Sequence, residues 1–342
     1  MKHLTKKARN WLITILTVVV LSVTALWPTD YFLESPGEVF PVGEFIKAKT
    51  KAPKNLYMVT ISITNEPVPV IAYLLSFTQK YTDRVSSSEL LGGQSSSQYN
   101  ELQNWYMETS QQAAIYYAAK KAKLLPKLHY HGVYVMGIQN NSSFKGKLQI
   151  GDTVLGANGH KFKSTKEMMD YLQQQKIGAK LKLKVQRNSQ TRTFNGKVVT
   201  VKGTNKPGIG IQLVEHTTVS TKPTVKINAG DIGGPSAGLM FTLEAYQVFT
   251  GKNLTNNHKV AGTGTISVDG KVGMIGGVDK KVVAADRAGA EVFFAPTDSR
   301  GIKKSETNYE VAKKTAKAIH TKMKIVPVAT FEDALNYLKA NY

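Results

Sequence analysis

The stretch Gly233-Gly234-Pro235-Ser236-Ala237-Gly238 sets a serine in a turn of small residues, directly ahead of the apolar run Leu239-Met240-Phe241-Thr242-Leu243. Glycines permit a sharp turn and the close approach of another chain. A helix is expected from Ser236 to Thr250, closed by Gly251, and its first turn offers free N–H groups and a positive dipole end. A serine hydroxyl there has what a nucleophile needs, with donors poised to hold an oxyanion beside it. The same pattern describes an ordinary N-cap serine, so the chemistry turns on whether a base is present. His216 and His258 are nearby in sequence, but neither sits in a motif. A lysine can serve if its pKa falls from about 10.4 to near neutrality, which burial and a helix N-terminus both favour.

Two lysines follow the pair Gly276-Gly277 at the head of a second expected helix. Lys281 lies on one helical face with Val278, Val282 and Ala285. Lys280 shares its face with Ala284 and Arg287 and is expected to reach solvent. Lys281 is therefore the lysine expected to be buried, although lysine stems often lie along apolar surface with the amine exposed. Gly262-Thr263-Gly264 follows a short expected strand between the two helices, and Glu291-Val292-Phe293-Phe294-Ala295-Pro296 is expected as a buried strand after them. The region from 206 to 342 is α/β in character.

The elements ahead of this region number several. Met1–Asn10 carries Lys2, Lys6, Lys7 and Arg9, and Trp11 to Trp27 runs without a charge. Basic residues before an apolar run, with a tryptophan at each end, fit the positive-inside rule and the interfacial aromatic belt. The run is at the short end for a membrane span; a cleaved signal peptide ending near Val23-Thr24-Ala25 is the competing reading. With a retained anchor the chain divides into a cytoplasmic basic tail (1–10), a transmembrane anchor (11–27) and a single-pass protein of the cell membrane whose bulk is extracellular. Residues 31–126 are expected to form a membrane-proximal α+β region. Tyr57–Ile63 reads as a strand, Arg84–Asn100 as a flexible loop, and Leu102–Leu125 as a helix closed by Pro126.

Lys and Arg number 45 against 24 Asp and Glu, a formal charge of +21 over 342 residues. The lysines are scattered rather than gathered into a nucleic-acid motif, so no nucleic-acid partner is expected. A diffuse positive surface suits work beside anionic lipid or an anionic envelope polymer. Cysteine is absent, which excludes a disulfide framework, a Cys-based zinc site and a cysteine nucleophile.

Residues 127–203 form a compact β-rich segment. Gly132–Ile138 is an expected strand, and Leu148-Gln149-Ile150-Gly151-Asp152-Thr153-Val154-Leu155-Gly156-Ala157-Asn158-Gly159 reads as turn, strand and turn. Ser164-Thr165-Lys166-Glu167 is a capping box opening a helix to about Gln174, and Leu181–Val185 alternates as another strand. This order, with "L-x-x-G-D-x-V-L-x-x-N-G" and then "L-x-L-x-V-x-R", resembles a PDZ domain of the type attached to bacterial proteases. PDZ domains bind an extended peptide as an added strand. The resemblance implies a groove beside Gly132, Val133, Tyr134 and Val135, walled by Met168, Tyr171 and Leu172; the same apolar residues equally fit a core.

The combination "G-P-S-A-G" plus helix, "V-A-G-T-G-T-I", and "G-K-V-G-M-I-G-G-V-D-K-K-V-V-A-A-D-R-A-G-A" resembles the proteolytic domain of the Lon family of Ser/Lys peptidases. The resemblance implies Ser236 as nucleophile, Lys281 as general base and Thr263 in a supporting role. Gly234, Pro235 and Ala237 fall in the turn that offers oxyanion donors. The family often has an acidic residue two positions before the proline, where this chain has Gly233; Asp231 is the nearest carboxylate and is assigned no catalytic role. No G-x-x-x-x-G-K-[ST] phosphate loop occurs in the sequence, so no ATP is expected, and the resemblance calls for no cofactor and no metal.

The expected fold is thus an α/β (α+β) Lon-type proteolytic domain preceded by a β-rich PDZ-like domain and a single N-terminal transmembrane helix. That order resembles the membrane-anchored PDZ–Lon-type peptidases of Gram-positive bacteria, which implies an energy-independent endopeptidase acting on secreted peptides, competence pheromones among them, or on membrane-proximal proteins. Lon-type domains commonly form rings, so a homo-oligomer is among the expectations. The rival class is a catalytically silent adaptor that binds peptides through the PDZ-like groove.

Overall fold

A computed structural model of the chain describes residues 6–50 and 55–342. Of the expected basic tail 1–10, residues 1–5 lie outside the described residues. The first part of the chain comprises α1 (Lys6–Leu26), β1 (Tyr31–Pro41), β2 (Leu56–Ile63), α2 (Val70–Ser76), β3 (Asp83–Ser86), α3 (Ser87–Leu91) and α4 (Ser96–Lys121). Next come β4 (Lys127–Ile138), β5 (Thr153–Ala157), α5 (Thr165–Gln173), β6 (Lys180–Arg187), β7 (Gln190–Lys197) and β8 (Ile211–Ser220). The last part adds α6 (Gly238–Thr250), β9 (Val260–Gly262), α7 (Val278–Arg287), β10 (Val292–Pro296), α8 (Asn308–Ala318), β11 (Lys324–Val328) and α9 (Phe331–Asn341).

The main sheet has the order β11-β10-β9-β2-β1-β3. Its C-terminal strands pair in parallel, β9 pairs in parallel with β2, and β2-β1-β3 is antiparallel. Residues 31–126, expected as a separate membrane-proximal region, therefore build half of the sheet that the C-terminal segment completes. Strand alternation decides what each face buries. Leu56, Met58, Val260 and Phe294 point into a core shared with α4, α6 and α9, where Met107, Ile115, Leu239, Phe241, Phe331 and Leu335 pack. Val59, Ala261, Phe293 and Ala295 point the other way, against Val278, Val282 and Ala285 of α7 and Ala312 of α8. The result is a sheet between two helical layers.

The stretch 84–100 differs from its expectation as a loop. It holds β3, α3 and the start of α4, which opens at a complete capping box between Ser95 and Gln98. Serine- and glutamine-rich composition masked a cap three residues long in its spacing.

The second sheet is antiparallel, with order β8-β4-β5-β6-β7 and a short strand at His160–Lys161 beside β5. Its core joins Val133, Val135, Phe144, Leu148, Val154, Met168, Leu183 and Val185. β8 lies beyond the expected boundary at 203, so the segment expected to belong to the C-terminal domain lends this sheet a strand. The two ends of the PDZ-like motif meet here. Asp152, in the Gly-Asp turn, accepts two 2.6 Å hydrogen bonds from Arg187 Nε and Nη2, and its Oδ2 also takes the Gln149 N–H. Both partners of this pair are largely buried. Removing one would strand the other's charge, so Asp152→Ala is expected to destabilise this layer by about 3 kcal/mol, read as a lowered denaturation midpoint.

Candidate active site

The serine turn is held from two sides. Gly234, at φ 86°, donates its N–H to Gln103 O at 2.8 Å, and Pro235 O accepts Ser110 Oγ at 2.9 Å, both from α4. From the other side, Ser236 O accepts the Gly264 N–H at 2.8 Å and Thr263 Oγ1 at 3.0 Å. No room is left for larger residues: a Cβ on Gly233 would stand 2.7 Å from Gln103 Cβ, and one on Gly238 2.7 Å from Ser110 Oγ. α6 begins at Gly238 with Ala237 as N-cap and no side-chain cap. Ser236 thus precedes the helix instead of capping it, and its hydroxyl is free for another partner. Within the described residues the N–H groups of Ser236 and Ala237 make no hydrogen bond.

That partner is Lys281. Its Nζ lies 2.7 Å from Ser236 Oγ and 3.2 Å from Thr263 Oγ1. Thr263, itself buried, accepts from the lysine and donates to the serine carbonyl, so one side chain fixes the distance between the other two. Lys281 sits one turn into α7, which opens at Gly277 in the left-handed conformation. A Cβ at Gly277 would stand 2.8 Å from Ile61 Cγ2, so α7 approaches β2 where only glycine fits. Burial among Val278, Val282 and Ala285 pulls the Lys281 pKa down to about 7, against a smaller opposing pull from the Glu34 carboxylate.

Lys280, expected in solvent, is 2% exposed. Its Nζ donates to Asp83 Oδ2 at 2.5 Å and has Asp279 Oδ1 at 3.5 Å and Glu34 Oε2 at 3.7 Å. Burial depresses its pKa, but Asp83, Asp279 and Glu34 together hold it above the ordinary lysine value. Asp83 and Glu34 come from β3 and β1, Asp83 being 197 residues away in sequence and Glu34 further still, so helical phase could not reveal them. Two adjacent lysines are driven in opposite directions by their surroundings.

Ser236 and Lys281 line a cleft of about 880 Å³. Val59–Thr64 of β2 and its end, Leu90 and Leu91 of α3, and Tyr99 and Gln103 of α4 contribute to its walls. Apart from Lys281, its charged lining residues are Glu38 and Asp231. The histidines lie elsewhere: His216 is held by Tyr134 and Thr153 in the second sheet, and His258 pairs with Glu291.

The groove expected at Gly132–Val135 is not open. β4 is paired along both edges, by β8 and by β5. Val133, Val135, Met168 and Leu172 are core, Tyr171 is half-buried and Tyr134 faces α4. The edge strands of that sheet are β8 and β7, and α5 stands beside β8, where Thr165 donates to Glu215 Oε2. Strand order, which the motifs do not carry, moved the edge over by one strand.

Comparison with known proteins agrees with this architecture. Residues 106–198 match the PDZ domain family, and residues 196–340 match the Lon protease (S16) C-terminal proteolytic domain. The chain carries a PDZ domain followed by a Lon-type proteolytic domain. A Lon protease of Neorickettsia sennetsu is 33% identical over 107 residues, 31% of this chain and 12% of that protein. One of Trichlorobacter lovleyi is 35% identical over 113 residues, 32% of this chain and 12% of that protein. The chain thus spans about an eighth of the length of these relatives. Among solved structures, the PDZ domain of an SdrC-like protein from Listeria monocytogenes is 32% identical, covering 26% of this chain and 93% of its own, with a TM-score of 0.25.

Two outcomes test this geometry. An unfolded lysine keeps its proton up to about pH 10.4, whereas folded Lys281 loses it near 7. The unfolded state therefore binds more protons between those limits, and the stability cost of Lys281 is full below pH 7 and fades as pH rises. Lys281→Met should raise the denaturation midpoint more at pH 6 than at pH 10. Lys280→Met, which leaves Glu34, Asp83 and Asp279 without their cation, should cost about 3 kcal/mol, and Asp83→Asn less, because the Asp83 side chain is 59% exposed.

Proposed function

We propose that this protein is an ATP-independent serine endopeptidase, held in the cell membrane by α1, with its catalytic domain on the extracellular side. The observation that carries the reading is the 2.7 Å contact between a buried lysine and the serine of the turn. Neutral Lys281 accepts the Ser236 proton as Oγ attacks the scissile carbonyl, and returns it to the leaving amine. The N–H groups of Ser236 and Ala237 supply the oxyanion donors. Water then attacks the acyl-enzyme ester with Lys281 again as base. Thr263 keeps the amine aimed at the hydroxyl.

Substrates are secreted peptides or membrane-proximal proteins in extended form. β9 pairs with β2 up to Gly262 opposite Met58; beyond that point β2 keeps an edge along Val59–Ile63, and those residues line the cleft. An extended segment laid there gains main-chain hydrogen bonds while its scissile bond lies by Ser236. Glu38 and Asp231 favour basic over acidic side chains. The PDZ domain positions substrate beside the cleft. The membrane location rests on α1, whose Arg9–Leu26 window is apolar and long enough to span a bilayer. ATP-independence rests on a sequence without a phosphate-loop motif.

The full-length protein in detergent, given a panel of unstructured peptides, should cleave some of them. The rate should rise with pH through about 7, following the deprotonation of Lys281. Ser236→Ala and Lys281→Arg should each reduce cleavage by about a thousandfold or more, and a fluorophosphonate probe should label Ser236 only while Lys281 is present. Equal cleavage by wild type and Ser236→Ala would overturn the Ser236 assignment; no cleavage by wild type and no probe labelling would leave the peptide-binding adaptor.

A further inference from the structure

α2 is an amphipathic helix turned inside out. Ile71, Leu74 and Leu75 are 46%, 59% and 56% exposed, and Phe77 just past its end is 61% exposed. Spacings of three and four put the first three on one helical face, while Val68 and Ser76 are the buried residues of this segment. A soluble surface rarely gathers large apolar side chains in this way.

The position of α2 identifies what covers it. The chain leaving α1 is stapled to the head of α2: Val70 N–H donates to Trp27 O at 3.0 Å, Thr29 N–H to Val68 O at 2.9 Å and Val68 N–H to Tyr31 O at 2.8 Å. Pro28 and Pro69 form a bridge in the same ladder. α2 thus begins at the level where α1 ends, beside Leu26 and Trp27, both about two-thirds exposed. If α1 spans the bilayer, that level is the headgroup region. The surroundings suit it. Tyr31, Tyr73 and Phe77 form a run of ring contacts at 4.8 and 5.4 Å, as an interfacial aromatic belt requires. Arg84 lies 4.2 Å from the Phe77 ring and donates to Ser76 O, and Lys80 is exposed nearby. Asp83, which lies between Lys80 and Arg84 in sequence, is taken by Lys280, as is Glu34 beside it; Asp30, Glu66 and Glu89 are the other acids of this end.

We propose that α2 and Phe77 form a second membrane contact, seated in the headgroup layer of the bilayer that α1 crosses, with Lys80 and Arg84 toward anionic lipid phosphates. A single spanning helix leaves a domain free to swing about its exit point; a second contact beside it fixes one face toward lipid. The residues that follow α2, β3 and α3, supply the Asp83 partner of α7 and the Leu90–Leu91 wall of the cleft. The contact therefore sets the cleft at a defined height above the membrane. This rests on the anchor reading of α1.

Because the chain has no cysteine, single labels report each site separately. Leu16→Cys, Leu75→Cys and Leu125→Cys, all at exposed positions, are labelled with a nitrobenzoxadiazole fluorophore in the full-length protein, reconstituted in phosphatidylcholine–phosphatidylglycerol vesicles. Leu125 lies past the far end of α4, about 39 Å long at 1.5 Å per residue. Lipids carrying nitroxides near the headgroup or deep in the chain serve as quenchers. The expected result is strong deep quenching at Leu16, at least twofold stronger shallow than deep quenching at Leu75, and little of either at Leu125. Quenching at Leu75 no greater than at Leu125, while Leu16 is quenched, overturns the contact and leaves the anchor standing. No quenching at Leu16 overturns the anchor and the contact with it. A Leu75 label shielded from aqueous iodide but untouched by lipid nitroxides would mean that a second copy or another protein covers α2, and the proposal falls.

Discussion

An amine kept out of water beside a hydroxyl is the constraint on which the rest of this structure depends. A protonated lysine on the apolar face of α7 would carry an unmatched charge into the core, and burial answers by lowering its pKa to about 7. The neighbouring cation has to be disposed of without restoring water to the site. Lys280 solves this by turning to the other side of the helix, into Asp83, Asp279 and Glu34. One of the carboxylates that neutralise Lys280, Glu34, also pulls the Lys281 pKa upward against the larger effect of burial, so the network touches both lysines. A neutral amine and a paired ammonium one residue apart require a helix held rigidly in phase.

The nucleophile side shows the same economy of parts. α4 grips the serine turn through Gln103 and Ser110 and, on residues between and beyond these, meets the PDZ domain. Trp105 packs edge-on against Tyr134, Glu108 accepts the Tyr134 hydroxyl, and Gln112 accepts the Val219 N–H of β8. Tyr134 in turn stacks on His216, whose charged form is disfavoured chiefly by burial and then by His131, with a pKa near 4. The PDZ sheet and the serine turn are thus fastened to one rod within a few turns of each other. β8 and α4 are joined directly, through the Gln112 side chain.

Much of this was legible in the sequence where the determinants were local. Helical phase put Lys281 on the apolar face of α7, because such a face is written at spacings of three and four, but its placing of Lys280 in solvent was wrong: both lysines are 2% exposed. The Gly-Asp turn and the closing arginine of the PDZ-like motif were visible as separate marks, and the structure shows them as one ion pair, Asp152 with Arg187. Illegible were the features made by residues far apart. The burial of Lys280 depends on Asp83, 197 positions earlier. The free edge of the PDZ sheet depends on β8 returning to pair with β4, which no strand motif announces. The start of α4 at Ser95 was a different failure: the capping box was present in the text, but serine-rich composition suggested a loop.

The order of strands in the main sheet has a temporal meaning. β2 must pair with β9, and Asn55 reaches Asn257 across 202 residues, with the whole PDZ domain threaded between them. A chain made from its N-terminus offers β1, β2 and β3 first, and these can pair with one another, yet β2 lacks its β9 partner and Asp83 its lysine until the last third has emerged. Contacts of such long range are slow to form, whereas the PDZ sheet closes over a much shorter loop. An unfinished chain therefore lacks both β2's pairing with β9 and the Asp83 ion pair that seats Lys280 beside Lys281.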